Sequence, residues 1–168
     1  ELGAVMGAEV IAVARGEAER EAARAAGAAH CLDGAEADIR SEVKALGGAD
    51  VVYDPVGGAQ WEAAMRAANP EARLLPIGFA SGEVPRIPAN ILLVKNLTVI
   101  GLYWGAYFRF APHVLADSAA RLLGLYAAGK ISPRIGHVLP LGEAEAALDL
   151  LRERRATGKV VLTAAPGG

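Results

Sequence analysis

Three glycine-bearing segments follow apolar runs: YDPVGG from Tyr53, PIGFASG from Pro76 and GLYWGAY from Gly101. Glycine at such a turn lets the backbone approach a bound molecule closely, and it also relieves a positive φ. For Gly57, Gly58, Gly78 or Gly82 taken alone, turn geometry is explanation enough. Their recurrence after successive apolar runs points to one edge that holds a ligand. A further turn is Val13, Ala14, Arg15, Gly16. In a dinucleotide site, an acid here accepts from a ribose 2'-hydroxyl, whereas an arginine suits a 2'-phosphate through paired hydrogen bonds. With no acid at Val13 or Ala14, Arg15 favours NADPH, with NADH the alternative. Glu17 stands close by, and an arginine at a helix start also serves simply as a solvated charge.

Other chemistries find little here. Tyr103, Trp104 and Tyr107 cluster after an apolar run, where they suit packing against a nicotinamide, a substrate ring or a partner subunit; core or interface packing covers at least two of them. His30, His113 and His137 are scattered, with no Cys, His or acid at metal-ligand spacing, so no metal site is expected. Asp54 precedes Pro55, and turn capping is its expected role, with a face toward a cofactor the alternative. No nucleophile elbow and no Ser-His-Asp or Cys-His arrangement is recognisable. Cys31 is the single cysteine, which excludes an intramolecular disulfide and fits a reducing compartment, the cytoplasm by default.

The elements that position these residues alternate. Glu9–Ala14 is a short β-branched strand, followed by a helix over Glu17–Ala26. The pattern continues with strands at His30–Asp33, Ala49–Val56, Arg73–Phe79 and Leu97–Tyr103. Helices are expected at Ala37–Leu46, Gln60–Ala68, Ala89–Lys95 and Pro112–Ala128. An extended piece at His137–Leu139, a helix at Gly142–Ala156 and a strand at Lys159–Ala164 close the series, with a frayed APGG tail. Apolar strands alternating with helices imply a parallel sheet covered on both faces, because each crossover must return the chain to the same end. The expected fold is α/β, a Rossmann-like doubly wound sheet, with its binding loops outside the carboxyl ends of the strands.

Composition agrees. The 168 residues are 53% hydrophobic and only 5% aromatic, suiting closely packed helices on a sheet rather than a disordered chain. Seventeen basic residues against nineteen acidic ones give a net charge of -2, so no global field attracts nucleic acid or an acidic membrane. No apolar run approaches the roughly 20 residues that a membrane helix needs; the stretch from Leu97 to Phe108 is short and interrupted by Thr98 and glycines. The chain begins without methionine and without a basic-then-apolar leader, and is expected to be a piece of a longer one.

MGAEVIAVA, AARAAGAAH, ADVVYDPVGG, ARLLPIGFASG, PANILLVKNLTVIGLYWGAY and TGKVVL, in this order and spacing, resemble successive blocks of the medium-chain dehydrogenase/reductase superfamily, in its quinone oxidoreductase branch. The resemblance implies an NAD(P)H-binding domain over residues 1–168, whose nicotinamide delivers hydride to a quinone or another conjugated carbonyl without catalytic zinc. It places Ala14, Arg15, Val56, Gly57, Gly78, Phe79, Ala80, Leu102 and Tyr103 near the cofactor. It also implies a homodimer through the strand at 97–103. Rival readings are a non-catalytic Rossmann-like binding or scaffold module, or an enoyl or alkenal reductase of the same superfamily.

Two departures stand out. Many relatives place Ser and Lys after the second strand and Tyr after the third, where this chain has Arg15, Gly16 and Glu19, then Asp33 and Gly34. The family also enters this region through a first strand and a glycine-rich turn, ahead of which lies a GroES-like domain. Neither is found in these 168 residues. In the sheet order 3-2-1-4-5-6 that first strand is central and its turn cradles the pyrophosphate. The expectation is an N-terminally shortened nucleotide-binding domain, inactive by itself.

Overall fold

The computed structural model describes residues 1–153 and 155–164, so the APGG tail lies outside the described residues. In chain order the elements are α1 (Leu2–Val5), β1 (Ile11–Ala14), α2 (Glu17–Ala25), β2 (His30–Asp33), α3 (Ile39–Ala45), β3 (Ala49–Asp54), α4 (Gly58–Ala67) and β4 (Ala68–Pro76). They continue as α5 (Ala89–Lys95), β5 (Thr98–Val99), α6 (Tyr107–Phe110), α7 (Pro112–Ala127), β6 (Ile135–Pro140), α8 (Ala144–Arg152) and β7 (Lys159–Thr163). Trp104–Ala106 and Leu141–Glu143 form single 3₁₀ turns.

The described strand pairs are all parallel. β1 pairs with β2, β4 lies between β3 and β5, and β6 pairs with β7. Parallel neighbours require a crossover, and helices supply it between β1 and β2, β3 and β4, and β4 and β5. The α/β doubly wound reading stands, but the single sheet resolves into three. The β1–β2 and β3–β4–β5 blocks end at edges with no strand between them among the described residues, while β6 and β7 form a ribbon of their own.

Two cores hold the blocks. In one, Trp61 and Met65, a turn apart on α4, pack against Ala68, Ala72, Leu74 and Leu97, with Val52, Ile91, Leu92 and Val99 around them. Trp61 and Leu74 are fully buried. In the other, Leu32, Ile39, Val43 and Ala67 pack with Ile11, Ala37, Ala49 and Ala63. The α4 helix thus serves both cores, through Trp61 and Met65 on one stripe and Ala63 and Ala67 on another. Lys95 Nζ donates to the carbonyls of Arg66 (2.8 Å) and Ala68 (2.7 Å), satisfying acceptors that the end of α4 leaves open. Burial pushes the Lys95 ammonium down from its ordinary pKa, and the charges of Lys44 and Arg40 add to this.

Several boundaries differ from the sequence expectation. The strand expected at Leu97–Tyr103 is a strand only over Thr98–Val99; the Ile100 N–H still donates to the Leu74 carbonyl in β4 (2.9 Å), and beyond it Leu102 and Tyr103 are exposed. β4 begins at Ala68 instead of Arg73, pairing first with Ala49 before a bulge shifts the register; Glu71 has φ 64° within it. β3 ends at Asp54, not Val56, because the Asp54 side chain turns the chain there. The helix expected at Gly142–Ala156 is a 3₁₀ turn and then α8, ending at Arg152.

Candidate functional site

The carboxyl ends of β3 and β4 lead into two interlocked loops. Asp54 is buried at 7% exposure, and its Oδ1 accepts from the backbone N–H groups of Val56 (2.6 Å) and Gly57 (3.1 Å), the turn-capping role expected of it. The Ala80 N–H donates to the Pro55 carbonyl (3.1 Å) and the Ser81 N–H to the Val56 carbonyl (2.9 Å). Gly57 has φ 74°, and a Cβ there would lie 2.6 Å from the Glu83 carbonyl oxygen and 3.5 Å from the Phe79 ring. Gly78 packs tightly but less so: its Cβ would stand 3.1 Å from the Pro55 carbonyl oxygen. The packing of one loop on the other therefore requires glycine at position 57, and at position 78 it would have to give by a few tenths of an ångström to admit a Cβ. Because these N–H groups are satisfied internally, the loops offer a shaped wall, not an anion nest.

The end of β2 joins the same rim. The Gly34 N–H donates to the Ala14 carbonyl (2.9 Å), and the Gly34 carbonyl accepts from Gln60 Nε2 in the first turn of α4 (3.4 Å). Here charge replaces packing. Asp33 Oδ1 accepts from the Ala35 N–H (2.9 Å), and its Oδ2 lies 3.4 Å from Arg20 Nη1. The Ala35 N–H holds the Asp33 carboxyl below its ordinary pKa; burial opposes it, and the Arg20 guanidinium adds a lowering smaller than either. Arg20 also pairs with Glu17 at 2.7 Å, and Glu17 in turn with Arg24 at 2.7 Å. Arg15 is exposed; its guanidinium makes no hydrogen bond or ion pair among the described residues. Gly16, at φ 74°, faces open space and caps α2.

Of the residues singled out in the sequence, Val56, Gly57, Gly78, Phe79 and Ala80 come together in the interlocked loops. Ala14 and Arg15 reach them through Gly34 and Gln60. Leu102 and Tyr103 do not join them by any hydrogen bond among the described residues, and Tyr103 is 79% exposed. The aromatic cluster forms without Tyr103: Tyr107 sits between Trp104 and Phe110, with ring centroids 5.8 and 4.6 Å apart. Sequence reasoning missed Arg20 and Gln60. The i, i+3 spacing of Glu17 and Arg20 signalled only a helix-surface pair, and nothing local tied Arg20 to Asp33.

Residues 2–122 match the family described as zinc-binding dehydrogenase. The chain belongs to that family. Within this zinc-binding dehydrogenase group, it is 37% identical over 162 residues to quinone oxidoreductase-like protein 2 homolog of Nematostella vectensis, covering 94% of this chain and 44% of that protein. Against quinone oxidoreductase-like protein 2 of Bos taurus it is 35% identical, covering 95% and 46% of the two chains. Among solved structures, the quinone oxidoreductase of Thermus thermophilus, also determined in complex with NADPH, superposes with TM-score 0.83 at 31% identity, over 96% of this chain and 51% of that one. The Escherichia coli quinone oxidoreductase complexed with NADPH gives TM-score 0.84 at 25% identity, over 96% and 51%. The expected superfamily and its quinone oxidoreductase branch are borne out, and the chain spans about half the length of the curated relatives it matches. Among the described residues no three His, Cys, Asp or Glu side chains gather to hold a metal ion, and no helix is long and apolar enough to cross a membrane.

Proposed function

We propose that this chain is the NADPH-holding part of an oxidoreductase that reduces a quinone or a related conjugated carbonyl without zinc, and that the 168 residues are inactive alone. The observation that carries the reading is the rim itself: interlocked loops at the ends of β3 and β4 are joined by Gln60 to the β2 end, beside Arg15, whose guanidinium is unpaired among the described residues. NADPH bound there supplies hydride. Arg15 binds the 2'-phosphate through paired, charge-assisted hydrogen bonds. The walls at Val56–Gly57 and Gly78–Ala80 orient the nucleotide, and Phe79 excludes water from one side of it. The pyrophosphate needs N–H donors that these loops have already committed, which is why activity requires more chain than this.

The family resemblance adds Leu102 and Tyr103, which follow β5, as further proposed contacts of the nucleotide. The edge at β5, with exposed Leu93 and Val94 on the neighbouring α5, is the proposed homodimer face. The cytoplasm is the proposed location.

The test follows NADPH absorbance with a simple quinone. A polypeptide carrying this chain within the full length of its relatives is expected to turn over, and the 168 residues are not. Robust turnover by the 168 residues alone would show that the reacting groups have been misplaced.

A further inference from the structure

We infer that Asp33 sets the balance between the two nucleotides: its carboxylate lies beside Arg15 where the nucleotide's 2'-position is received, accepting from a 2'-hydroxyl and repelling a 2'-phosphate. The inference rests on the nucleotide reading of this rim and adds to it an acid that opposes Arg15. The acid that neither Val13 nor Ala14 provides at the end of β1 arrives from the neighbouring strand. Asp33 is the register partner of Ala14 in the parallel β1–β2 pair, and the Gly34 N–H donates to the Ala14 carbonyl (2.9 Å). Asp33 therefore stands at the rung of the sheet from which Arg15 and Gly16 lead into α2. Its side chain is only 15% exposed. Oδ1 is fixed by the Ala35 N–H (2.9 Å) and Oδ2 faces Arg20 Nη1 at 3.4 Å. The Ala35 N–H first, then Arg20, then the Gly16 N–H and Arg15, all favour its ionised form, so the charge belongs to the turn that carries Arg15.

The other acids of the turn are placed differently. Glu17 is exposed and engaged by Arg20 and Arg24, and Glu19, also exposed, accepts from the Arg15 N–H (3.2 Å). Asp33 is the sheltered one. An acid at a dinucleotide site bonds the ribose 2'-hydroxyl. A 2'-phosphate, about −1.5 to −2 in charge at neutral pH, meets the same carboxylate as a like charge, and the attraction of Arg15 is offset. Arg20 does not cancel Asp33, because it is shared with Glu17 at 2.7 Å. The chain is thereby expected to take both nucleotides, with its preference for NADPH held below what Arg15 alone would give.

Dissociation constants for NADPH and NADH, read by nicotinamide fluorescence on a polypeptide carrying this chain within the full length of its relatives, test it. Asp33→Asn keeps an acceptor for the Ala35 N–H and removes the charge. It should bind NADPH about tenfold more tightly, as relief of one like-charge contact in a partly solvated site implies. It should bind NADH about threefold more weakly, since an amide oxygen is a poorer acceptor than a carboxylate. Asp33→Ser, which also retains an acceptor for the turn, should move the ratio in the same direction. Glu19→Gln, at an exposed acid, should leave the ratio within about twofold. An unchanged or lowered preference for NADPH in whichever Asp33 variant folds, or an equal shift from Glu19→Gln, overturns the inference while the nucleotide reading stands. Failure of the unaltered protein to bind either nucleotide overturns both.

Discussion

The rim has two ends built by different means. After β3 and β4 the loops are fixed by packing: Gly57 fits where no Cβ would and Gly78 where one would be tight, above a core in which Trp61 and Leu74 are fully buried. After β1 and β2 the turn is set by charges, with Arg20 shared between Glu17 and Asp33 and only Leu32 buried in either strand. Packing fixes shape at a cost that any added atom exposes, whereas ion pairs that still reach solvent, as Arg20 does with the exposed Glu17, contribute little to stability and can exchange partners with a ligand. The first end is thus expected to govern whether the rim exists, and the second which nucleotide it prefers.

The widest separation of the two ends comes from their cores. Trp61→Ala should cost about 3–5 kcal/mol in denaturant unfolding, as for large-to-small changes of a buried aromatic; a loss under about 1 kcal/mol would erase the contrast. Gly57→Ala comes next. Its positive φ and a carbonyl oxygen at 2.6 Å should together cost about 1–3 kcal/mol, while Gly16→Ala, with open space around it, should show the φ penalty alone. A drop no larger at Gly57 than at Gly16 would mean the loops do not interlock.

At the charged end the effect is on choice, not stability. In the full-length protein, Arg15→Ala should raise the KM for NADPH about tenfold and leave that for NADH nearly unchanged, as loss of a charge-assisted hydrogen bond worth about 1.4 kcal/mol implies. Equal losses for both nucleotides would place Arg15 outside the 2'-phosphate site. The smallest effect belongs to α3. Asp38 caps it, accepting from the Ser41 N–H (3.1 Å) and Oγ (2.7 Å), and these bonds, the hydroxyl first, hold its carboxyl below the ordinary pKa. A depressed carboxyl stabilises the fold above the unfolded aspartate pKa, and that contribution fades as pH falls through the lower folded value. Asp38→Asn should lower stability slightly at neutral pH, where that contribution is fully present, and flatten the acid limb of a pH–stability curve so that the two proteins converge at low pH.

Much of the fold was legible because its signals are local. The strand at His30–Asp33 and the helix at Ala89–Lys95 match to the residue, each bounded by residues that stop it, and Asp54 followed by Pro55 announced a capped turn. What failed was non-local. The run from Leu97 to Tyr103 is apolar enough for a strand, yet its pairing with β4 covers Thr98 and Val99 and ends with the Ile100 N–H on the Leu74 carbonyl; sequence carries the apolarity without saying what covers it. β4 starts early because Ala68 meets Ala49 across space, which the Asn-Pro-Glu that follows conceals. The glycines at the rim were legible as turns, but only coordinates show that Gly57 is demanded by the Glu83 carbonyl. The Arg20–Asp33 contact joins residues on different elements, so neither flank predicts it.

The central claim is that one continuous rim accepts a nicotinamide nucleotide, and amide chemical shifts under NADPH titration test it most directly. Saturable shifts should cluster at Ala14–Gly16, Val56–Gly57 and Gly78–Ala80, and be weaker with NADH. Shifts that leave those three segments unmoved, or that gather instead around Ala4, Ala25 and Leu125 in the cavity between α1, α2 and α7, would contradict the account.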